Sequence, residues 1–320
     1  MKAAVLNKLG TSPFYEDVED PVPQDEEQLL INIEAASLKN IDRLRAGRKH
    51  PASHSNLPAI VGIDGVGTLE NGTRVYAQGL TGMMAQKGLI AKTRYTVLPD
   101  QLDYSTAAAL PNAVIGSTMA LHFRGKMEPG MTILINGATG VTGQVAVQVA
   151  RHYGAANIIV TGRNPAILDR LKSLGADTVI SLEQAGDHVI KQLKESQAET
   201  PIDLVLDYLW GYPIELVLQA LIGGGSHKVR IVTVGDAAGS SIPLASIMLR
   251  SAAIDLLGSG IGSLSQQELK MFDTKVLPEM FQLAADGKLL IDIQNEPLET
   301  IHQVWNKKGK AGKRIVIIMN

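Results

Sequence analysis

Cysteine is absent from all 320 residues. That excludes disulfides, thiolate zinc sites, iron–sulfur clusters and a cysteine nucleophile. An excess of either charge is also missing: thirty basic and thirty-two acidic side chains leave a net charge of -2. There is thus no electrostatic case for a nucleic-acid or anionic-membrane partner. No apolar run approaches the ~18 residues that cross a bilayer. After Lys2 the N-terminus offers only four apolar residues, Ala3 to Leu6, too few for a signal-peptide core but suited to a strand. No internal repeat or low-complexity tract is present. What remains is ordinary for a folded protein, 45% hydrophobic and 19% charged, and a soluble, cytoplasmic protein is expected.

The length suggests two domains, or one with an insertion. Up to residue 100 the apolar runs are short and broken by Pro, Gly, Asn and Asp: 3–6, 28–33, 62–69, 73–77 and 95–98. These predict a mostly β region, with the Gly- and Met-containing segment 79–88 as a mobile loop. From residue 131 apolar runs alternate with helical segments. The runs are 132–136, 157–161, 178–180, 202–207, 230–234 and 254–257; the helices are 141–153, 165–174, 183–196 and 213–221. Such alternation predicts a parallel sheet covered on both faces, and six strands fit a doubly wound dinucleotide-binding sheet. A helix (265–286), a strand (289–293), a short helix (298–305) and a last strand (314–319) follow. The expected fold class is α/β: a β-rich domain from both chain ends, 1–117 and 263–320, with a Rossmann domain, 118–262, inserted between.

One motif carries chemical content. Residues 136–143 read Asn-Gly-Ala-Thr-Gly-Val-Thr-Gly, behind a strand and opening a helix. They contain the dinucleotide fingerprint as Ala138-x-Gly140-x-x-Gly143. That pattern needs a tight turn, a bare backbone where the pyrophosphate approaches, and a small residue where helix meets strand. Ala138, Thr139, Gly140, Val141, Thr142 and Gly143 are therefore cofactor-binding candidates, with helix N–H groups facing the anion. After the second strand an NAD site usually carries Asp or Glu. Here the residues are Thr161, Gly162, Arg163 and Asn164. Arg163 can meet a 2′-phosphate as a charged donor, with Thr161 and Asn164 adding neutral hydrogen bonds, so NADPH is the expected cofactor. Asp207 ends the fourth strand, where it either contacts the cofactor or caps the next helix. Gly235, after the fifth, leaves room for the nicotinamide. His50 and His54 lie four apart, but around Pro51 and with no acid between them; the other histidines are scattered, and no metal is expected.

Taken with its order and spacing, a further set of segments resembles the medium-chain dehydrogenase/reductase superfamily, in its zinc-free quinone oxidoreductase branch. The set is residues 36–42 (ASLKNID), 57–67 (LPAIVGIDGVG), 108–111 (AALP), 174–177 (LGAD), 203–207 (DLVLD) and 312–316 (GKRIV), together with the motif at 136–143. The resemblance implies a GroES-like catalytic domain built from both chain ends, a central Rossmann domain, a cleft between them, and a homodimer formed through the strand at 254–257. Zinc members carry Gly-His-Glu where this chain has Gly62-Ile63-Asp64.

The resemblance also implies hydride transfer from NADPH to a small-molecule electrophile, a quinone or an α,β-unsaturated carbonyl. The branch has Asn in an Asn-x-x-Asp pattern where this chain has Lys39, while Asp42 keeps the acid. Lys39, Asn40 and Asp42 are thus the catalytic candidates. Lys39 would donate a charged hydrogen bond to a developing enolate and Asn40 a neutral one. The alternatives for Lys39 are an ion pair with Asp42 or a contact to a cofactor phosphate. Two other functions stay open: a zinc-independent alcohol dehydrogenase, and a cofactor-binding sensor or structural protein without turnover.

Overall fold

The structure, a computed structural model, describes residues 1–223, 225–307 and 309–319. Two compact units divide the chain: residues 1–112 with 270–320, and residues 113–269. The amino-terminal part holds β1 (Lys2–Leu6), β2 (Phe14–Asp17), β3 (Gln28–Ser37), α1 (Asn40–Ala46), β4 (Ala59–Ile60), β5 (Asp64–Leu69), β6 (Arg74–Gly79), β7 (Lys87–Val97) and α2 (Tyr104–Val114), the last running on as a π-helix, Ile115–Arg124. The middle holds β8 (Thr132–Asn136), α3 (Val141–His152), β9 (Asn157–Gly162), α4 (Pro165–Ser173), β10 (Thr178–Ser181), α5 (Gly186–Glu199), β11 (Leu204–Asp207), α6 (Gly211–Leu221), β12 (Val229–Thr233), α7 (Ser246–Arg250), β13 (Ile254–Gly258) and α8 (Gln266–Met271). The carboxyl-terminal part adds α9 (Leu277–Ala285), β14 (Ile293–Pro297), α10 (Ile301–Val304) and β15 (Arg314–Ile318).

The first unit is β-rich. Its large sheet runs β14-β15-β3-β5-β6-β7, and β3 also pairs with β7, so β3, β5, β6 and β7 close on themselves. Closure leaves no free edge among those four strands. Ile31, Ile33, Val75, Met83, Met84 and Ile90 fill the core. The segment 79–88 is therefore not the mobile loop that its glycines suggested. Met83 and Met84 are fully buried, and the N–H of Met84 bonds to the Val61 carbonyl at 2.9 Å. Gly82 is pressed against Ile60, whose carbonyl oxygen would stand 2.1 Å from a Cβ. Thioethers suit such irregular interior gaps.

The apolar run at 289–293 is likewise not a strand along its length. The N–H groups of Lys288 and Leu289 both return to the Leu283 carbonyl and close the end of α9. Pairing begins only at Ile293, opposite Arg314.

The second unit is a six-stranded parallel sheet in the order β10-β9-β8-β11-β12-β13. Counted from β8, the order is 3-2-1-4-5-6, the doubly wound arrangement, with its switch point between β8 and β11. The six apolar runs read from the sequence are these six strands, offset at their ends by at most two residues. The inner strands β8, β9 and β11 are almost wholly buried, because helices cover both faces of such a sheet, whereas the edge strands β10 and β13 are largely half-buried. The α/β fold class is as expected.

Candidate functional site

At the carboxyl end of β8 the chain turns through Gly137, with φ 91°, and enters α3 behind Gly140. The N–H groups of Gly137 and Ala138 both bond to the Thr161 carbonyl, at 3.2 and 2.8 Å, which ties the turn to β9. The first helical bond runs from the Gln144 N–H to the Gly140 carbonyl at 3.0 Å. The N–H groups of Val141, Thr142 and Gly143 thus precede any helical acceptor, and no side chain caps them.

The small residues of the fingerprint divide their tasks. A Cβ on Gly140 would meet only the Gly137 oxygen, at 3.7 Å, so its backbone is open to a ligand. A Cβ on Gly143 would lie 2.6 Å from the Ala138 Cα, so the helix packs directly on the turn that follows β8. Ala138 is fully buried. Open backbone, orphan N–H groups and the helix dipole fit a pyrophosphate.

At the end of β9, Gly162 has its Cα face against Thr139. Arg163 is exposed and, among the described residues, has no hydrogen-bond or ion-pair partner. Its neighbours Thr161 and Asn164, expected to add neutral hydrogen bonds to the cofactor, make bonds within the protein. Thr161 is fully buried; its hydroxyl donates to Asn136 Oδ1 at 2.6 Å and accepts from the Gly137 N–H at 3.2 Å. Asn164 caps α4, its Oδ1 accepting from the Ile167 N–H at 3.1 Å.

Asp207, expected either to contact the cofactor or to cap the next helix, bonds to backbone just before α6. It is fully buried, and its carboxylate accepts from Asn136 Nδ2 at 2.8 Å and from the N–H groups of Leu209 and Trp210 at 3.1 to 3.2 Å. Burial pushes its pKa up against the lowering effect of those bonds. It shapes the turn into α6. Gly235 lies against the Tyr208 carbonyl, 2.8 Å from where a Cβ would stand. The Tyr208 hydroxyl in turn donates to the Gly116 carbonyl at 2.9 Å.

The first unit holds a buried cluster of charges. Lys39, immediately before α1, is 2% exposed, as is Asp42. The Lys39 N–H bonds to Asp42 Oδ2 at 2.9 Å. Its ammonium, however, pairs with Asp64 on β5 and sits 3.4 Å from Ser37 Oγ. The expected ion-pair alternative thus has a different acid, because Asp42 is engaged by backbone. Tyr76 on β6 donates its hydroxyl to Asp64 Oδ2 at 3.1 Å. Burial and then the Asp64 charge hold that phenol well above its ordinary pKa, so it keeps its proton.

Arg314 on β15 bonds to Asn112 at 3.2 Å. Burial lowers its pKa to about 10, against the opposing influence of Asp64 and Asp42. Burial likewise raises the Asp42 carboxyl. Asp42 Oδ1 and Arg314 Nε are buried without partners. Asn40 is exposed, with its Oδ1 taking a bond from Arg43 at 3.4 Å.

Asp64, Arg314 and Asn136 escaped the sequence reading as site residues, although all three lie inside quoted segments; Tyr76 offers itself there as a proton donor or a core aromatic with a satisfied hydroxyl. The available signal was a lone acid in an otherwise apolar and Gly-rich stretch, Ile63-Asp64-Gly65-Val66-Gly67. A buried carboxylate of that kind demands a cation, and Lys39 supplies it.

Among the described residues no three His, Asp or Glu side chains converge as a metal set, and a thiolate ligand is impossible without cysteine. The family described as zinc-binding dehydrogenase matches residues 141–279, a stretch that begins inside the fingerprint at Val141. The chain is 27% identical to a probable NADPH-dependent quinone reductase of Emericella nidulans, over 96% of each protein. It is 32% identical to a chloroplastic NADPH-dependent alkenal/one oxidoreductase of Arabidopsis thaliana, over 48% of this chain and 45% of that one. The solved quinone oxidoreductase of Thermus thermophilus, described also in complex with NADPH, superposes with a TM-score of 0.78 at 25% identity, covering 100% of both chains.

Proposed function

We infer that this chain, which belongs to the quinone oxidoreductase-like branch of the medium-chain dehydrogenase/reductase superfamily, is an NADPH-dependent reductase of quinones or α,β-unsaturated carbonyls. The observation that carries the reading is Arg163: an exposed, unpartnered guanidinium at the end of β9, where an NAD site keeps a carboxylate. A 2′-phosphate gives that cation its charge-assisted partner, and an NAD ribose would not.

The N–H groups of Val141, Thr142 and Gly143 bind the pyrophosphate, over the bare backbone of Gly140, and Gly235 keeps space for the nicotinamide. A bound NADPH supplies the hydride. What this chain adds is charge. Lys39, fixed by Asp64, stabilises the oxyanion that develops as hydride reaches a conjugated carbonyl. Asp42 holds the Lys39 backbone at the start of α1, and exposed Asn40 offers a neutral donor. A quinone, whose product anion is delocalised, asks less of these groups. The reading extends to a homodimer formed along β13.

The test is the rate of cofactor oxidation with a small quinone and with an enone, using NADPH or NADH. Arg163→Ala should raise the KM for NADPH by roughly 10- to 100-fold, the worth of a charged hydrogen-bond pair, and leave NADH unaffected. Equal use of both cofactors by the unsubstituted protein would remove the role of Arg163. Tight NADPH binding with no oxidation across the panel would establish a sensor instead.

A further inference from the structure

Three buried polar side chains lie beneath the dinucleotide site. Thr161, Asn136 and Asp207 stand at the carboxyl ends of β9, β8 and β11, and Asn136 is the register partner of both others. Each is 0% exposed. The amide of Asn136 accepts the Thr161 hydroxyl at 2.6 Å and donates to Asp207 at 2.8 Å. A primary amide can do both at once; a carboxylate there has no donor for Asp207, and an aliphatic side chain has neither.

The ladder ends in the two backbone segments that flank the site. On one side Thr161 holds the N–H of Gly137 through its hydroxyl, and those of Gly137 and Ala138 through its carbonyl. On the other, Asp207 holds the N–H groups of Leu209 and Trp210. Trp210 has φ 51°, a conformation that side-chain-bearing residues rarely adopt unless their surroundings enforce it. Apolar side chains in these three interior positions would avoid the desolvation of a carboxylate. The ladder must therefore be explained by placement rather than by core stability.

Its position gives the explanation. The Asn136–Asp207 bond spans the switch point between β8 and β11, where the two mononucleotide-binding halves of the sheet meet. Thr161 belongs to the half that takes the adenosine, and Asp207 to the half that takes the nicotinamide. Building on the cofactor reading above, we infer that Asn136 is a positioning residue that sets both halves of the dinucleotide site at once, through Thr161 on one side and Asp207 on the other.

The experiment measures binding of two separate fragments, adenosine 2′,5′-bisphosphate and reduced nicotinamide mononucleotide, by displacement of NADPH fluorescence, with thermal melts alongside. Asn136→Leu should weaken both fragments about tenfold, one hydrogen-bond link lost on each side. Thr161→Val, which keeps the side-chain shape, should weaken the bisphosphate alone. Asn136→Leu binding both fragments within about twofold of the unsubstituted chain would overturn the inference. So would equal losses of both fragments in Thr161→Val. If Asn136→Leu does not fold, the Thr161→Val pattern decides: unequal losses support the inference, and equal or absent losses refute it. An unsubstituted chain that binds neither NADPH nor the fragments removes the cofactor reading itself, a result distinct from variants that match it.

Discussion

Lys39 is held twice, by its backbone to Asp42 and by its ammonium to Asp64. Such double fixation costs side-chain entropy and desolvation, and apolar packing would be the less expensive way to fill the space. A fixed cation becomes useful when negative charge has to appear on a neighbouring atom, because it needs no reorganisation at that moment. The two proposed substrate types then separate. An enone localises charge on one oxygen during reduction, and a quinone spreads it over a ring. Lys39→Met should lower kcat for an enone by about a hundredfold and for a quinone by less than about fivefold, with the NADPH dissociation constant unchanged. Steady-state kinetics on the two acceptors check this; parallel losses on both would make Lys39 a structural ion-pair partner only. Tyr76 has no part in supplying a proton in this scheme. Its phenol is held above the ordinary range by burial and by Asp64, and its hydrogen bond steadies the acid that steadies the lysine.

At the level of elements, what the sequence could reveal depended on how local the determining forces were. The six strands and the helices α3 to α6 of the second unit were legible because apolar runs alternate there with amphipathic segments, whereas the short α7, with no buried residue, left no such pattern. The fingerprint was legible because Gly140 and Gly143 answer to backbone geometry within eight residues. The Asp64–Lys39 pair was not, because its members lie twenty-five positions apart and meet only when β3 and β5 pair. Thr161 was placed on its edge as a cofactor donor and Asp207 as a cofactor contact or a cap; that Asn136 stands between them is not legible, since the three lie on separate strands that meet only in the sheet.

The cap of α1 provides a test at this scale. Asp42 Oδ2 accepts the Lys39 N–H while burial raises the carboxyl above its ordinary value of 3.8. A carboxyl raised in the folded state contributes stability that is complete below 3.8 and is lost as pH rises through the raised value. Asp42→Asn keeps an oxygen to accept the same bond and carries no charge to bury. Thermal melts should therefore place Asp42→Asn above the unsubstituted chain at pH 8, with the gap closing as pH falls towards 4. A gap that is constant across this range would show that the carboxyl is not raised.

For the whole molecule, the balance of thirty-two acidic against thirty basic residues leaves association to be governed by shape and backbone rather than by net field. β13 ends the sheet with no further strand beside it among the described residues, and an uncovered parallel edge is a template for pairing. Which of its groups face outward follows from the pairing. Val229 bonds to the Ala253 carbonyl at 2.9 Å, and Ser259 bonds to the Thr233 carbonyl at 2.8 Å. Residues of that parity therefore face β12, and Ile254 and Leu256 turn their N–H groups away from it. Leu256→Pro deletes an outward donor without touching the bonds to β12, and an edge strand tolerates proline in that position. If the proposed homodimer forms along β13, sedimentation velocity should show two chains for the unsubstituted protein and one for Leu256→Pro, with the melting temperature lowered by only a few degrees and NADPH still bound. A variant that still sediments as two chains would place the contact elsewhere. A single-chain unsubstituted protein would leave β13 as a solvent-facing edge, protected by the ion pairs of Asp255 with Lys228 and Arg230.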